Sequence, residues 1–462
     1  MASALRKVLV LGSGFTAGPL VEYLTRDGKV AVTVASNVIE QAQRLAEKFK
    51  NTSAVELDVY SESNLSMLVG SHELVVSNVL HTQHTLAAKQ CIKHRKSLVT
   101  SSYVTSELQE FHKPAMDAGI TLMNEVGVDP GIDHMLAMEC FDEVHSNGGK
   151  VVSFESWCGG LPHPDYANNP LRYKFSWSPK GVLLAALNQG KYKRDNQIFE
   201  TAPGQLMAPE NLQSFSHLHP KMDFDGYFNR NSLNYIDIYG IPEAQTVIRG
   251  TLRYKGTCKI FQGLNKMGLL STKEHQRFGK GATSLVKWRD LLAMLVSKED
   301  IKKHFDIRSS VYQAVSKDDH LFKSIEELRL LSDDPVQLIG SPLDTLCAYL
   351  ERLLAYEPGE RDAIFLHHFI GIEWPDKQIE TRHIDLTMYG ESNGDSAMAQ
   401  TVGKPTAIAA KMILTGEIKK YGIVIPTAAD IYKPMLKALK QEGIEPVVSK
   451  SIAYNQCLNC RY

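Results

Sequence analysis

The sequence has 462 residues, of which 43% are hydrophobic and 22% are charged, and its formal net charge is −1. These values are typical of a globular chain with roughly two or three domains. The near-zero net charge argues against nucleic acid or an anionic membrane as the main partner. No apolar run reaches the length of a membrane span, and the first residues lead directly into an apolar strand. We therefore expect a cytoplasmic enzyme with no signal peptide and no membrane partner.

Seven cysteines are scattered from Cys91 to Cys460. An odd number of dispersed cysteines predicts reduced thiols rather than a disulfide framework. Cys457 and Cys460 form a C-x-x-C pair near the C-terminus, but neither further metal ligands nor a βαβ context accompany it. Two thiols on a tail is the favoured interpretation, and we expect no metal.

The first segment, KVLVLGSGFTAGPLVEYL, is typical of a buried strand, a glycine turn and a helix. Gly12, Gly14 and Ala17 match the G-x-G-x-x-A form of the dinucleotide fingerprint. The first glycine allows the tight turn, and the second allows a pyrophosphate to approach the backbone. The small third residue lets the helix pack closely on the strand, and the helix N-terminus offers N–H groups to the phosphates.

Five further strand-like runs follow before residue 127, and helix-like segments lie between most of them. Strands that alternate with helices predict a doubly wound parallel sheet of the Rossmann type. Ligands of such sheets bind beyond the carboxyl ends of the strands. The polar residues expected there are Ser13, Ser36, Asn37, Asn78, Ser101, Ser102 and Asp129. The pattern favours dinucleotide binding over an empty sheet.

The end of the second strand indicates which cofactor is used, NAD or NADP. An acidic residue there would bind the ribose hydroxyls of NAD, whereas an arginine would favour the 2′-phosphate of NADP. The sequence has Ser36 and Asn37, with Arg44 a turn or two further along the helix. The absence of a carboxylate at this position favours NADP slightly, and NAD stays open.

The middle of the chain contains candidates for binding an anionic substrate. The turn Asp129–Gly131 follows the last strand of the sheet, and Cys158 precedes two glycines. The segment NNPLRYKFSWSP, residues 168–179, has no regular period, and long irregular loops are often functional. Its Arg172 and Lys174 could hold carboxylates, although a loop held in place by its aromatic residues is an equal alternative. Two more arginines, Arg230 and Arg253, lie near strand or loop ends, and a guanidinium matches a carboxylate bidentately.

The rest of the chain completes the predicted architecture. Residues 257–356 are helix-like and indicate a helical insertion. Two strands around Pro375 predict a hairpin, in which adjacent histidines on opposite faces argue against a three-histidine metal site. A small-residue helix contains Pro405. The final helix and the strand PVVS are expected to return to the Rossmann domain, making that domain discontinuous.

The chain resembles the L-glutamate-forming saccharopine dehydrogenase family, also called saccharopine reductase, from residue 7 to about residue 449. Seven segments carry the resemblance, in this order: VLGSGF, SSYV, EVGVDPGIDHMLA, CGGLP, NNPLRYKFSWSP, IRGTLRYKG and TVGKPTAIAAKM. The resemblance implies a Rossmann domain (1–129 plus about 395–455), an α/β substrate and dimerisation domain (130–256 plus 357–394) and a helical domain (257–356). It also implies a homodimer.

The reaction implied by the resemblance is reversible and belongs to lysine metabolism. Saccharopine transfers a hydride to NAD(P)+, and the imine that results is hydrolysed to L-glutamate and 2-aminoadipate 6-semialdehyde. Saccharopine carries three carboxylates, which would explain an irregular cationic loop and dispersed arginines. The nicotinamide would supply the redox chemistry, and the protein would supply orientation and proton handling.

The family's contacts can be placed on residues of this sequence. The glycine turn and the resemblance together assign cofactor contacts to Gly12, Ser13, Gly14, Phe15, Ser36, Asn37, Val79, Ser101, Val128 and Asp129. The resemblance places the substrate contacts on Ser102, Tyr103, Asp129, Arg230, Thr251, Leu252 and Arg253, and the irregular segment adds Arg172. The candidates for proton transfer are Tyr103, Asp129 and Cys158. Asp129 could act as a base if burial raised its pKa, or it could bind the substrate ammonium group.

Two other functions stay open. One is a related carbon–nitrogen oxidoreductase that acts on a polyamine conjugate, which a screen of amine substrates would reveal. The other is a regulator that binds a dinucleotide without turnover.

Overall fold

The computed structural model of this chain describes residues 5–274, 285–297 and 306–453. Cys457 and Cys460 lie outside the described residues. The contacts divide the chain into two compact units. Of the described residues, unit 1 contains 5–151, 238–241 and 371–453, and unit 2 contains 152–237, 242–274, 285–297 and 306–370. This division does not test the three domains expected from the sequence, which stay a prediction.

The strands and helices are numbered in chain order. The strands are β1 Arg6–Leu11, β2 Val30–Ser36, β3 Thr52–Glu56, β4 Leu74–Ser77, β5 Ser97–Val99, β6 Thr121–Met123, β7 Lys150–Pro162, β8 Gly190–Arg194, β9 Gln197–Thr201, β10 Leu212–Phe215, β11 Phe224–Phe228, β12 Thr246–Tyr254, β13 Leu285–Lys287, β14 Pro335–Gln337, β15 Asp362–Glu373, β16 Ile379–Tyr389, β17 Gly422–Val424 and β18 Val447–Ala453. The helices are α1 Ala17–Thr25, α2 Ile39–Lys48, α3 Glu62–Ser71, α4 His84–His94, α5 Ser106–Gln109, α6 His112–Ala118, α7 Ile132–Ser146, α8 Pro179–Ala185, α9 Asn234–Tyr239, α10 Thr257–Lys266, α11 Trp288–Ser297, α12 Ile307–Ala314, α13 Asp319–Glu327, α14 Pro342–Leu353, α15 Ala397–Thr415 and α16 Ala429–Gln441.

Unit 1 contains a seven-stranded sheet in the order β17-β6-β5-β4-β1-β2-β3. All its pairs are parallel, and Val8 to Leu11 of β1 are fully buried at its centre. The order 3-2-1-4-5-6 is that of the doubly wound dinucleotide fold, so the prediction from the first 130 residues is confirmed. Strands β2 and β3 are added on one side of β1, and strands β4, β5 and β6 on the other. Such sheets bind their ligand at this change in strand order, between β1 and β4.

The C-terminal part of the chain joins unit 1 in a way that the sequence predicts only in part. Helix α15 contains Pro405 as expected, and its Gly403 packs against α1 so closely that a Cβ there would lie 2.7 Å from the Thr16 carbonyl oxygen. The strand that enters the parallel sheet is the short β17, which pairs with β6. The expected strand PVVS instead lies in β18, which pairs antiparallel with β16.

Unit 2 is built on a mixed sheet. Strands β10, β11 and β12 are antiparallel neighbours, and β12 runs parallel to β7. Strand β15 lies on the other side of β7, and β8 and β9 form a hairpin beside β12. The helix-rich region after β12 contains α10 to α14, and its apolar residues share one large core with Trp157, Phe224 and Tyr254 of the sheet.

Strand β15 ends in a turn that leads to β16. The Trp374 N–H donates to the Gln378 carbonyl at 2.9 Å, which places Pro375 in the turn as the sequence predicts. No helix within the described ranges combines the length and the apolar character needed to cross a membrane.

Candidate active site

The glycine turn after β1 forms a backbone cradle at the N-terminus of α1. Gly12 has φ +97°, and a Cβ there would lie 2.6 Å from the Asn78 carbonyl oxygen, so only glycine fits. A Cβ on Gly14 would meet nothing within 4 Å, which leaves open space beside the backbone. The first turn of α1 has no acidic residue, and Thr16 gives its hydroxyl proton to Asn78 rather than capping the helix. This geometry fits a dinucleotide pyrophosphate.

A second polar group lies where β1 and β2 end. The Ser13 hydroxyl donates to Ser36 Oγ at 2.9 Å, and Ser36 Oγ also accepts from the Val38 N–H at 3.1 Å. Asn37 is exposed beside them, and Arg44 is exposed on α2. In this fold an adenine ribose lies beside the end of β2. The neutral residues there would not repel a 2′-phosphate, which agrees with the slight preference for NADP.

The ends of β4 and β5 are joined by a histidine that the sequence does not single out. His84 is 1% exposed, and its ring nitrogens lie 2.8 Å from Ser77 Oγ and 2.8 Å from Ser102 Oγ. Burial lowers the pKa of His84 to about 4, with a smaller contribution from the nearby His81. The ring is therefore neutral near pH 7. It holds the Ser102 hydroxyl, a predicted substrate contact, against the end of β4.

The loop after β6 carries Asp129 in a fixed conformation. The Gly131 N–H donates to Asp133 Oδ1 at 2.6 Å, and the Gly127 N–H donates to the Pro130 carbonyl at 2.8 Å. Gly131 has φ +148°, and a Cβ there would overlap the backbone of Gly127. The peptide bond from Asp129 to Pro130 is cis. The loop is thus defined by its own hydrogen bonds.

Asp129 lies next to Tyr103. The Tyr103 hydroxyl donates to Asp129 Oδ1 at 2.8 Å, although the two residues belong to loops that follow different strands. Both side chains are partly exposed, so a ligand can reach them. The structure therefore brings together two of the three predicted proton-transfer residues. A phenol hydrogen-bonded to a carboxylate can exchange a proton with a bound water or amine.

Unit 2 presents a second set of predicted residues on one face of its sheet. Thr251 pairs with Cys158 on the parallel strand β7, so their side chains lie on the same face. Arg253 is two residues further along β12 and also points to that face. Leu252 points to the opposite face, where it is fully buried in the core. Any contact of Leu252 with a ligand would therefore come from its backbone.

Arg253 is the most unusual of these residues. It is 3% exposed, and no carboxylate among the described residues forms an ion pair with it. Its guanidinium lies between the rings of Tyr173 and Tyr227, with centroids at 5.2 and 5.6 Å. Nη1 donates to the Leu252 carbonyl at 2.9 Å, Nη2 donates to the Tyr227 hydroxyl at 3.2 Å, and Nε has no hydrogen-bond partner in the described chain.

A buried guanidinium without a counter-ion is costly unless a ligand supplies one, since arginine stays protonated. The two tyrosine rings stabilise the charge only in part. The arrangement fits a site for a carboxylate. Sequence reasoning finds Arg253 but not Tyr173 or Tyr227 as its neighbours, because their proximity depends on the folding of unit 2.

Two family models match this chain. Residues 8–123 match the model described as "Saccharopine dehydrogenase NADP binding domain". Residues 127–444 match the model described as "Saccharopine dehydrogenase C-terminal domain". The chain belongs to the saccharopine dehydrogenase family. The resemblance stated from seven short segments is thereby confirmed, and so is the expectation of a nicotinamide dinucleotide domain.

Individual relatives of this saccharopine dehydrogenase family member are similar over nearly its whole length. It is 42% identical to "Saccharopine dehydrogenase [NADP(+), L-glutamate-forming]" of Saccharomyces cerevisiae, over 95% of this chain and 97% of that protein. It is 41% identical to "Alpha-aminoadipic semialdehyde synthase, mitochondrial" of Bos taurus, over 95% of this chain. That match covers 47% of the bovine protein, so the chain spans about half the length of this relative.

A solved structure has the same fold as this family member. The apo histidine-tagged saccharopine dehydrogenase (L-Glu forming) from Saccharomyces cerevisiae superposes with a TM-score of 0.84 at 40% identity. The match covers 96% of this chain and all of that one. It confirms the predicted fold class, a Rossmann-type parallel sheet combined with an α/β domain.

The remaining predicted residues of this family member lie on loops. Phe15, Val79, Ser101 and Val128 follow β1, β4, β5 and β6, at the same edge of the parallel sheet as the cradle. Arg230 is exposed with φ +53°, and its carbonyl accepts from the Lys191 N–H at 2.7 Å.

In the irregular segment 168–179, Lys174 forms an ion pair within the protein rather than offering its charge to a ligand. Lys174 does hold a carboxylate, but it is that of Glu360, at 2.6 Å in the same unit. Arg172 donates to the Lys255 carbonyl at 3.4 Å and lines a surface cavity of about 460 Å³ with His219 and Lys221. Within the described ranges, no cluster of three or more His, Cys, Asp or Glu residues could hold a metal ion.

Proposed function

We propose that this chain catalyses the saccharopine dehydrogenase reaction that forms L-glutamate, with NADP as the preferred cofactor. Saccharopine, NADP+ and water give L-glutamate, 2-aminoadipate 6-semialdehyde, NADPH and a proton. The proposal follows the name of the yeast relative, which aligns with this chain over 97% of its own length. The observation that carries it is the buried Arg253 guanidinium, which no carboxylate of the described chain neutralises.

A substrate with three carboxylates suits the charges of unit 2. One carboxylate would supply the counter-ion that Arg253 lacks, through a charge-assisted hydrogen bond at Nε. Thr251 lies on the same sheet face and offers a hydroxyl donor, and Cys158 lies beside it. The polyamine alternative is disfavoured, because a polycation would meet a buried positive charge at Arg253.

Proton handling falls to Tyr103 and Asp129. When bound, the dinucleotide supplies the hydride acceptor. The secondary amine must be neutral before its neighbouring carbon can lose a hydride, and the imine must then receive water. Asp129 would bind the ammonium form and accept its proton, and Tyr103, hydrogen-bonded to that carboxylate, would pass a proton to or from water.

The first test is the absorbance of reduced nicotinamide after saccharopine is added to the purified protein, with NAD+ and NADP+ in parallel. Turnover that is at least about tenfold more efficient with NADP+ is the expected result. Cofactor binding without turnover on saccharopine would overturn the proposal and favour the dinucleotide-binding regulator. Turnover only on amine conjugates without carboxylates would favour the polyamine enzyme.

Asp129→Asn tests the role of the carboxylate. The variant should raise KM for saccharopine strongly and lower kcat less, because the ammonium group loses its partner in the ground state as well as in the transition state. An unchanged KM would contradict the binding role. Tyr103→Phe is the matched variant, since it keeps the ring and removes only the hydroxyl that donates to Asp129.

Two further proposals concern the oligomeric state of the protein and its location in the cell. We expect a homodimer, which sedimentation equilibrium tests directly through the mass of the particle. A cytoplasmic location is also a proposal. The bovine relative's name includes the word mitochondrial, so fractionation of cells that express this chain is the measurement that decides between the two compartments.

A further inference from the structure

A buried carboxylate in unit 1 connects the two loops that carry Tyr103 and Asp129. Glu125 lies between β6 and Asp129, has φ +59° and is 4% exposed. Its backbone N–H donates to the Ser102 carbonyl at 3.1 Å. Its carboxylate Oε1 accepts from the Val104 N–H at 3.0 Å. Glu125 therefore binds the backbone on both sides of Tyr103.

The other carboxylate oxygen is held by a second buried group. Glu125 Oε2 lies 2.7 Å from His134 Nε2, and His134 Nδ1 lies 2.7 Å from the Tyr239 hydroxyl. His134 is fully buried, and Tyr239 is 2% exposed. If Nε2 carries the proton, Nδ1 accepts from the tyrosine, and every member of the chain of hydrogen bonds is satisfied. A buried carboxylate is stable only when its oxygens are paired in this way.

The geometry points to a function beyond stability. An ordinary residue rarely adopts a φ of +59°, yet this conformation lets one residue present both its N–H and its carboxylate to the segment from Ser102 to Val104. Fixing the backbone on both sides of Tyr103 fixes the direction in which its phenol leaves the chain. That direction is what places the hydroxyl 2.8 Å from Asp129 Oδ1.

We propose that Glu125, held by His134 and Tyr239, is a positioning residue that sets the contact between Tyr103 and Asp129. It does not touch the reacting atoms, and it acts on the rate through Tyr103. The inference rests on the proposed function, since it assigns the Tyr103–Asp129 pair to proton transfer. A catalytic group displaced by about 1 Å can lose about 100-fold in rate, so a positioning residue of this kind has a measurable effect.

The test compares Glu125→Ala with Glu125→Gln. The alanine variant should lower kcat by about 100-fold and leave the dissociation constant for NADP within about threefold. The glutamine variant should recover most of that loss, because its carbonyl oxygen can accept from Val104 and its amide can donate to the other His134 tautomer. Equal kcat losses in both variants, or a loss confined to NADP binding, would overturn the proposal.

A double-mutant cycle separates positioning from a general effect on folding. In a Tyr103→Phe background, Glu125→Ala should cost little further kcat, because the hydroxyl that it positions is already absent. Full additivity would contradict the coupling. Glu380→Gln is the matched control, since Glu380 is also 4% exposed and pairs with Arg382 at 2.8 Å rather than with a predicted site residue. It should leave kcat within about twofold.

Two readouts keep the inference testable in other circumstances. If Glu125→Ala does not fold, His134→Gln leaves the carboxylate in place, removes its ring partner and should give the same non-additivity with Tyr103→Phe. Hydrogen exchange of the peptide that contains Val104 should rise in either variant. Hydrogen exchange can be measured without substrate, so it tests the positioning claim separately from the proposed function. A wild-type protein without activity on saccharopine would refute the proposed function. Unchanged exchange at Val104 in the variants would refute the positioning claim.

Discussion

Replacing Arg253 by methionine separates a substrate-binding charge from a structural one. Methionine has a similar length and keeps the packing between Tyr173 and Tyr227, but it cannot bind a carboxylate. Removing one partner of a buried charge pair costs about 3 kcal/mol of binding energy, which is about 150-fold in kcat/KM for saccharopine. We expect most of this loss in KM, because the carboxylate is bound in the ground state and in the transition state alike.

The same variant should lose substrate binding without losing stability. In the described chain Arg253 has two hydrogen bonds, one to a carbonyl and one to a phenol, and no ion pair. A buried positive charge without a carboxylate partner is unfavourable in the folded protein, so an apolar side chain of similar volume should not destabilise it. The free energy of unfolding of Arg253→Met should therefore equal or exceed that of the wild type, as measured by urea denaturation.

Arg382→Met supplies the contrast. Arg382 is 2% exposed and pairs with Glu380 at 2.8 Å and with Glu143 at 2.9 Å. Its loss would leave Glu380 buried without a counter-ion, which costs about 3–5 kcal/mol of stability. The kcat/KM of Arg382→Met for saccharopine should stay near the wild-type value. A strongly destabilised Arg253→Met with unchanged KM for saccharopine would refute the assignment of Arg253 to the substrate.

Three further predictions concern unit 1. Gly131→Ala should lower the free energy of unfolding, measured by urea denaturation, by more than about 2 kcal/mol, because its Cβ would overlap Gly127. Gly119→Ala is the control. Gly119 has φ +68° but nothing within 4 Å of the added Cβ, so its loss should be only about 1 kcal/mol. Asn37→Asp should move the ratio of kcat/KM values from NADP+ towards NAD+ by about tenfold or more, and an unchanged ratio would contradict the placement of the ribose. Because the pKa of His84 falls from 6.5 to about 4 on folding, its contribution to stability is present above pH 6.5 and lost as the pH falls towards 4. Between pH 7 and pH 4, the free energy of unfolding of His84→Gln should therefore fall by about 3 kcal/mol less than that of the wild type. Parallel curves of unfolding free energy against pH would contradict this.

The parallel sheet could be predicted because its signals are local. Apolar runs such as Val8–Leu11 alternate with helical periods, and the turn at Gly12 requires a residue that tolerates positive φ. These features depend on neighbouring residues alone, and the alternation includes six strands, β1 to β6, in the first 125 residues. The strand order then follows from the fold that such alternation usually adopts.

The strand at the C-terminal end could not be placed from the sequence, because its partner lies far away along the chain. A run such as PVVS pairs equally well with a parallel or an antiparallel neighbour. In the structure Val448 lies opposite Ile384 of β16, whereas the three residues Gly422–Val424 complete the parallel sheet. A three-residue strand is too short to show a period of two, so β17 leaves almost no sequence signal.

The same limit explains which site residues were missed. Arg253 could be proposed because a guanidinium matches a carboxylate and because the segment IRGTLRYKG carries the family resemblance. The ion pair of Lys174 with Glu360 could not be predicted, because the two residues are 186 positions apart in the sequence. Glu125 is the clearest case. Its sequence context, NEVG, looks like the end of a strand, and a glutamate there predicts a solvated carboxylate. Only the fold shows that its N–H and its carboxylate bind both sides of Tyr103. Glu125 is buried, has a hydrogen-bond partner at both carboxylate oxygens and adopts a positive φ. Such a residue persists only where the surrounding structure imposes its conformation. It therefore indicates a functional site more strongly than a charged residue on the surface does.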